Sequence, residues 1–203
     1  MTRPPGTEEV APEEQDRAAA LRALGATVKP DRPIALVGMM GAGKTSIGKR
    51  LAGFLNIPFR DADSEIEKAA GCTVAEIFAK HGEEEFRRGE RQVIARLISQ
   101  CPPHVLATGG GAVICAETRA LLKEKAVTIW LRADVDVLLR RVERRDNRPL
   151  LKNGDQRATL LRLLGERTKF YAEADYVIES NPGPHSAAVE AALRALATRF
   201  AAP

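Results

Sequence analysis

One glycine-rich segment constrains the fold of this chain more than any other part of its sequence. Residues 38–45 read GMMGAGKT and match the phosphate-binding pattern G-x-x-x-x-G-K-S/T in full. The apolar run at residues 34–37 before it is typical of a buried parallel strand. Ile47, Leu51 and Leu55 after it fall on one face of a helix. The sequence therefore predicts a strand, a phosphate-binding turn and a helix in direct succession.

This turn is suited to hold the phosphates of a nucleotide. Its glycines let the backbone curl so that N–H groups point inward, and the helix that follows adds the positive end of its dipole. We expect Lys44 to reach the β- and γ-phosphates and the Thr45 hydroxyl to coordinate Mg²⁺. The predicted ATP contacts in this segment are Gly41, Ala42, Gly43, Lys44, Thr45 and Ser46.

Beyond this segment, apolar runs alternate with helical patterns. Such alternation indicates a parallel sheet covered by helices on both faces, which is a three-layer α/β fold. The predicted strands are residues 34–37, 57–60, 105–108, 127–131 and 176–178. After the helix that follows the turn, the predicted helices are residues 64–70, 74–81, 83–99, 117–123, 135–142, 157–172 and 186–200.

The first thirty residues differ in composition from the rest of the chain. Residues 1–30 are rich in Pro, Glu and Ala and lack the β-branched runs that mark the strands. We expect them to form a mobile or loosely docked extension, with one short helix at residues 13–24.

Composition narrows the classes of protein that fit. The net charge is +4, but aromatic residues make up 4% of the chain, so platforms for stacking nucleic-acid bases are scarce. No apolar run approaches the roughly 18 residues of a membrane span, and the N-terminus has no secretory apolar region. We therefore expect a cytoplasmic monomer without a nucleic-acid or membrane partner. Cys72, Cys101 and Cys115 show no metal-binding or redox spacing.

Two aspartates follow the predicted second strand. Asp61 and Asp63 would face the same side if this segment is extended. One could then hold Mg²⁺ through water while the other accepts a proton from a substrate hydroxyl. The alternative is a structural role, in which Asp63 or Ser64 caps the helix that follows. The pair alone leaves both interpretations open.

Two arginines fall beside the apolar faces of predicted helices. Arg87 shares a side with Ile94, and Arg167 lies in one stripe with Leu164 and Tyr171. An arginine that points inward needs an anion, so the two together suggest a substrate carboxylate. A snorkelling side chain or an internal salt bridge would account for either arginine taken alone.

Two further segments suit a phosphate-transfer site. Gly109, Gly110 and Gly111 directly follow a predicted strand. Ligands gather at the ends of strands in open α/β sheets, and glycine allows a ligand to approach the backbone closely. The alternative is a turn that binds no ligand.

Five arginines precede Pro149, namely Arg140, Arg141, Arg144, Arg145 and Arg148. Such a run is either a solvated basic face or a lid that closes over ATP. Arg148 is the best placed for a lid role, because the proline after it keeps it off a helix.

Taken together, these segments resemble the shikimate kinase family of small P-loop kinases. The matching segments are GMMGAGKTSIGKRLA, FRDADSEIE, IFAKHGEEEFRRGE, ATGGGAV, NRPLL and ERTKFYAEADYVIE, in the family's order. The resemblance covers about residues 33–200. It implies a five-stranded parallel sheet in the order 2-3-1-4-5, a kinase domain at residues 31–203 and a lid at about residues 143–157. It also implies transfer of the γ-phosphoryl group of ATP to the 3-hydroxyl of shikimate, with Mg²⁺, on the route to chorismate and aromatic amino acids.

The resemblance assigns roles on the substrate side of the site. The substrate contacts that it implies are Asp63, Arg87, Gly109, Gly110, Gly111 and Arg167. Asp63 would bind the shikimate hydroxyls and accept the proton. Arg87 and Arg167 would hold the carboxylate, and Gly110 would meet the ring through its backbone.

On the nucleotide side, the resemblance implies that Lys44 and Arg148 act with Asp63 in catalysis. Arg148 would reach the phosphates from the lid, Arg141 could stack on adenine, and Asp61 would help to hold Mg²⁺ through water. The chain departs from the family pattern at residues 181–184, which are only loosely similar to its adenine loop. The strand that ends at Thr108 offers no aspartate for the metal, which leaves Asp61 as the metal helper.

Two other functions compete with this interpretation. A gluconate kinase shares the P-loop and lid but should lack the combination of paired aspartates, inward arginines and triple glycine. A non-catalytic nucleotide-binding protein, with residues 1–30 as its contact to a partner, would bind ATP without turnover.

Overall fold

Five parallel strands form one sheet within the residues that the structure describes. The computed structural model describes residues 12–100, 103–143, 155–180, 182–183 and 185–200, and for residues 12–15 the backbone only. The strands are β1 (Ile34–Val37), β2 (Phe59–Asp61), β3 (Val105–Ala107), β4 (Val127–Arg132) and β5 (Tyr176–Glu179). Their order across the sheet is β2-β3-β1-β4-β5. This order confirms the sheet that the resemblance implied.

The central strand β1 sets the position of the site. Ile34 pairs with Val105 of β3 on one side and with Val127 of β4 on the other. All four residues of β1 are buried, which explains why the strand reads as a continuous apolar run and not as an alternation. Because the strands are parallel, the segments that follow β1, β2 and β3 meet at one edge of the sheet.

Eight helices flank the sheet in the described part of the chain. They are α1 (Pro12–Thr27), α2 (Lys44–Leu55), α3 (Ala62–Ala70), α4 (Val74–Ile98), α5 (Ala116–Lys125), α6 (Val135–Glu143), α7 (Gln156–Tyr171) and α8 (Ser186–Arg199), with a 3-10 turn at Ala112–Ile114. The predicted break between two helices falls inside α4, where Gly82 has φ 80° and ψ 176° and kinks the element. Among the described helices, none has the length and apolar composition that crossing a bilayer requires.

The second strand begins later than the sequence predicted. Residues 57–60 were expected to form it, but Asn56 adopts φ 52° and the N–H of Ile57 donates to Ala52 O at 3.1 Å. Ile57 therefore still belongs to the turn that closes α2. Pro58 has no N–H to donate, although its carbonyl already accepts from Val105 N at 2.9 Å.

The helix α1 is packed against the body of the protein. It contacts α2 and α8, Leu21 and Val28 are buried, and Arg17 donates two hydrogen bonds to Glu190 of α8 at 3.0 and 2.6 Å. Residues 16–28, which were expected to belong to a mobile or loosely docked extension, thus contact α2 and α8 in the structure. The sequence pattern did not show this, because few apolar residues of α1 make the contact and the partner surface lies on distant helices.

Gly25 lies where α1 comes closest to α2. A Cβ atom on Gly25 would lie 2.3 Å from the backbone oxygen of Phe54, whereas a Cβ on exposed Gly53 of α2 would meet nothing within 4 Å. We expect Gly25→Ala to lower the free energy of unfolding by about 1–3 kcal/mol, because backbone must move to relieve the contact. Gly53→Ala should instead raise it by about 0.5–1 kcal/mol through helix propensity. Urea unfolding of both variants measures this, and equal effects would contradict the docking of α1.

Candidate active site

The segment after β1 turns sharply into α2. Gly38 has φ 137° and Gly43 has φ 94°, backbone conformations that side-chain-bearing residues rarely adopt. A Cβ atom on Gly38 would also lie 2.6 Å from Leu131 O of β4. The turn therefore needs glycine at Gly38 for both conformation and space. It places the N-terminus of α2, which begins at Lys44, at the carboxyl end of the central strand.

Side chains on both sides brace this P-loop. Lys44 Nζ donates to Gly38 O at 2.7 Å and to Met39 O at 2.9 Å, so the ammonium lies folded over the loop. The Ser180 hydroxyl, at the end of β5, donates to Ala42 O at 2.7 Å and accepts from Arg141 Nη1 at 2.8 Å. Burial and the nearby charge of Arg140 lower the pKa of Arg141. Sequence reasoning did not identify Ser180, whose role depends on a contact between residues far apart in the chain.

A cleft of about 500 Å³ opens above the P-loop. Its lining combines glycine backbone, hydroxyls, carboxylates and basic side chains: Gly41, Gly43, Lys44, Thr45, Ser46, Asp61, Asp63, Thr108, Gly110, Val137, Arg140, Arg141, Val142, Pro182, Gly183 and His185. The structure thus brings the P-loop residues, both aspartates, Gly110 and Arg141 to one cleft. Arg148 and most of the expected lid, residues 144–154, lie outside the described residues, as do Asn181 and Pro184.

The two aspartates reach the cleft by a different geometry from the one expected. Asp61 ends β2 and caps α3, with its carboxylate accepting from Ser64 N at 3.4 Å, and Asp63 lies in the first helical turn. The idea of an extended pair is therefore wrong, and so is the alternative in which Asp63 or Ser64 caps the helix. The other oxygen of Asp61 accepts a hydrogen bond from the Thr45 hydroxyl at 2.8 Å. A carboxylate and a hydroxyl thus meet beside the phosphate-binding turn.

Arg87 lies beside Gly111 and is held by two glutamates. A Cβ atom on Gly111 would lie 2.5–2.7 Å from the guanidinium group. Arg87 donates to Glu90 Oε2 at 2.7 Å and to Glu83 Oε1 at 3.0 Å, so the internal salt bridge considered for this residue is present. Burial alone would lower the pKa of Arg87, but the charges of Glu90 and Glu83 outweigh it and raise that pKa.

Glu90 is a site residue that sequence reasoning missed. Its side chain is 3% exposed, its Oε2 pairs with Arg87, and its Oε1 has no hydrogen-bond partner among the described residues. Burial raises the pKa of Glu90 against the opposing effect of Arg87. A signal was available: Glu90 falls four residues before Ile94, on the same apolar stripe as Arg87.

Arg167 and Tyr171 of α7 meet the middle glycine of the loop after β3. Arg167 is buried, and its Nη1 donates to Gly110 O at 3.2 Å. The Tyr171 hydroxyl donates to the same oxygen, and burial raises the pKa of Tyr171 to about 12, which keeps the hydroxyl a donor. Neither arginine lines the cleft itself. Arg167 contacts the lining residue Gly110, and Arg87 adjoins Gly111, the residue that follows it.

A histidine on the nucleotide side was also missed. His185 lines the cleft at the start of α8, and its Nδ1 lies 3.0 Å from Arg50 Nη1 of α2. A Cβ atom on Gly43 would lie 3.3 Å from His185 Nε2, so the imidazole adjoins the P-loop. The residues before it carry no pattern from which this position follows.

The fold and the cleft together define a P-loop kinase for a small molecule. The parallel sheet carries a phosphate-binding turn at its central strand, and a carboxylate, a hydroxyl and two buried or half-buried arginines gather around it. Phosphoryl transfer needs positioning and neutralisation of charge, and these groups provide both.

Comparisons with known proteins identify the family. A family model described as shikimate kinase matches residues 40–197. A shikimate kinase of Caulobacter vibrioides is 58% identical over 165 residues, which cover 81% of this chain and 82% of that protein. The structure of the shikimate kinase from Acinetobacter baumannii in complex with shikimate is 42% identical, with a TM-score of 0.77 over 84% of this chain and 93% of its own. The chain belongs to the shikimate kinase family.

The protein resembles a gluconate kinase less closely than it resembles the shikimate kinases. A gluconokinase from Sinorhizobium meliloti has a TM-score of 0.61 over 84% of this chain and 94% of its own, but its sequence identity is 18%. At that identity the likeness reflects the shared fold.

Glu90 gives the stability of this protein a specific pH dependence. Because burial raises the pKa of Glu90 above its ordinary value of 4.5, the folded protein keeps this proton at pH values where the unfolded chain has lost it. Its contribution to stability therefore falls as the pH rises through that window. We expect the free energy of unfolding of the unmodified protein to fall relative to that of Glu90→Gln as the pH rises above 4.5.

Urea unfolding at a series of pH values measures this difference. In Glu90→Gln, Arg87 loses one of its two carboxylate partners and keeps Glu83. Because arginine stays charged, this loss shifts the free energy of unfolding at every pH, and the result is read from the slope against pH. Glu85→Gln, at a more exposed position of α4, controls for the loss of a glutamate from that helix. A difference that rises with pH would show that Arg87, and not burial, governs Glu90.

Proposed function

We infer that this chain transfers the γ-phosphoryl group of ATP to the 3-hydroxyl of shikimate, giving 3-phosphoshikimate and ADP. One observation carries the inference: each glycine after β3 meets a different charged residue. A Cβ atom on Gly109 would lie 2.2 Å from Glu90 Oε1 and 3.2 Å from Asp63 Oδ1. Gly110 O accepts from Arg167, and Gly111 abuts Arg87. A small ring with a hydroxyl on one side and a carboxylate on the other fits this arrangement.

The two arginines support recognition of a carboxylate. The Nε–H of Arg167 is buried and has no hydrogen-bond partner among the described residues, a state that costs free energy unless a ligand supplies an acceptor. Arg87 approaches the same loop from α4, with Glu83 and Glu90 fixing its guanidinium group. A carboxylate between Arg87 and Arg167 would be held by charge-assisted hydrogen bonds.

Asp63 is the proposed acceptor of the hydroxyl proton. It lines the same cleft as the P-loop, so a hydroxyl held by Asp63 would face the terminal phosphate of bound ATP. The loop of Gly109, Gly110 and Gly111, which we call the glycine loop, also lies against the P-loop, because a Cβ atom on Gly110 would lie 3.2 Å from Met40 N. This closeness supports in-line attack without a covalent intermediate. Lys44 would stabilise the negative charge that develops on the phosphates.

The residues present fit the Mg²⁺ ion that the family implies. Mg²⁺ prefers hard oxygen ligands and is held through one or two protein groups together with phosphate oxygens and water. The Thr45 hydroxyl and the Asp61 carboxylate, 2.8 Å apart beside the P-loop, supply such groups. When bound, the ion would neutralise charge on the β- and γ-phosphates. We propose that Thr45 binds it directly and that Asp61 does so through water.

The remaining parts of the proposal concern the lid, the adenine site, the domain bounds, and the oligomeric state and cellular location of the protein. We propose that Arg148 reaches the phosphates from a lid at about residues 143–157 and that Arg141 stacks on adenine. Residues 31–203 would form the kinase domain, with residues 1–30 as its extension. We further propose that the protein is a cytoplasmic monomer, and light scattering in solution tests the monomeric state.

Asp63→Asn tests the proposed chemistry. We expect the unmodified protein to release ADP with shikimate and MgATP, and to prefer shikimate to gluconate. Asp63→Asn should lower kcat by about 10²–10⁴-fold, because the amide cannot accept the proton, while ATP affinity stays within about twofold. A coupled ADP assay and calorimetric titration with an ATP analogue measure both. Preference for gluconate would overturn the assignment, and near-normal kcat in the variant would remove Asp63 from the mechanism.

Gly111→Ala tests the carboxylate site without removing any charge. The added methyl group would overlap the Arg87 guanidinium, which would have to shift from its position beside Glu83 and Glu90. We therefore expect KM for shikimate to rise about tenfold, with KM for ATP nearly unchanged. Gly89→Ala is the matched control, because a Cβ there would meet nothing within 4 Å. An unchanged KM for shikimate in Gly111→Ala would contradict the placement of Arg87 at this site.

A further inference from the structure

The segment that follows the three glycines is tied back to them by its own backbone. In the 3-10 turn Ala112–Ile114, the N–H of Ala112 donates to Gly109 O at 3.1 Å, and the N–H of Ile114 donates to Gly111 O at 3.0 Å. The turn therefore fixes the carbonyls of Gly109 and Gly111, and hence the direction of the peptide groups around Gly110. Any residue that holds the turn in place also holds the glycine loop.

Arg119 of α5 holds this turn. Its Nη1 donates to Val113 O at 2.7 Å and to Ile114 O at 2.9 Å. These carbonyls end a 3-10 turn and have no partner within it, so a guanidinium group satisfies acceptors that the turn leaves open. Hydrogen bonds from a charged donor are stronger than those between neutral groups, which suits a short turn with little regular structure of its own.

The guanidinium group of Arg119 is in turn anchored to the end of α7. Arg119 lies 4.3 Å from the centre of the Phe170 ring, and its Nε lies 3.3 Å from Glu173 Oε1. Phe170 directly precedes Tyr171, whose hydroxyl donates to Gly110 O. The end of α7 thus meets the glycine loop twice, once directly through Tyr171 and once through Arg119.

Arg119 does not touch the cleft itself, since it is absent from the residues that line it. Its side chain is 20% exposed and lies behind the glycine loop. We propose that Arg119 is a positioning residue for the glycine loop. It holds the 3-10 turn, and the turn keeps the peptide groups of Gly110 and Gly111 in the conformation that receives the substrate ring. This inference rests on the proposed function, because it concerns affinity for shikimate.

Arg119→Met separates the hydrogen bonds of this residue from its packing. Methionine keeps an unbranched stem that can lie on Phe170, but it has no donor for Val113 O and Ile114 O. We expect the Kd and KM for shikimate to rise about tenfold in Arg119→Met, with KM for ATP within about twofold, because the P-loop is held by other contacts. Arg119→Lys retains a donor and should recover part of the lost affinity.

Calorimetric titration with shikimate and steady-state kinetics on the full chain decide the proposal, with Arg162→Met as the matched control. Arg162 lies on the exposed face of α7, where it pairs only with Glu166 among the described residues, so its loss should leave both substrate constants unchanged. Unaltered shikimate affinity in Arg119→Met, or an equal rise in KM for shikimate and ATP, would overturn the positioning role. If Arg119→Met does not fold, absence of a shikimate-specific defect in Arg119→Lys overturns it.

The unmodified protein, measured in the same series, distinguishes the two proposals. If it binds shikimate and Arg119→Met binds equally well, the positioning role alone fails. If the unmodified protein neither binds nor phosphorylates shikimate, the proposed function fails and the positioning role fails with it.

Discussion

The backbone conformation between β1 and α2 is the constraint on which the rest of this structure depends. Glycines at positive φ connect a fully buried strand to a helix within a few residues, so that the N-terminus of the helix, at Lys44, lies at the end of that strand. That geometry produces a site for anionic phosphate at the carboxyl end of the sheet. The order of the strands then places the segments that follow β2 and β3 beside this site, because both strands lie on one side of β1 and end at the same edge of the sheet.

The proposed substrate side is organised around a second glycine segment. Gly109, Gly110 and Gly111 carry no side chains, so helices from three parts of the chain approach their backbone closely: α3 with Asp63, α4 with Arg87 and Glu90, and α7 with Arg167 and Tyr171. Charges that are distant in sequence are thereby collected on one short loop. Their burial is tolerable because most of them pair with each other or with loop carbonyls.

Much of this arrangement could be predicted from the sequence, because the relevant signals are local. The P-loop pattern, the alternation of strands and helices and the break at Gly82 all depend on residues close together in the chain. The predictions that failed depended on where a strand ends and a helix begins, or on contacts between distant segments. Asp61 and Asp63 would face the same side only in an extended segment, one of the two interpretations left open, but the strand ends and the helix begins between them. Of the residues missed altogether, Ser180 and His185 act through contacts with distant segments that no spacing rule reveals. Glu90 pairs with Arg87 three residues before it, and its position on the apolar stripe of α4 was a signal that could have been used.

The position of the transferred phosphate tests the central claim most directly, because it reports where the hydroxyl lay relative to Asp63 and the P-loop. The measurement is a two-dimensional ¹H–³¹P correlation spectrum of the product formed from shikimate and MgATP. The account predicts a single phosphoester whose phosphorus couples to the proton on C3 of the ring. A phosphoester on a different hydroxyl, or no phosphorylated shikimate, would contradict it.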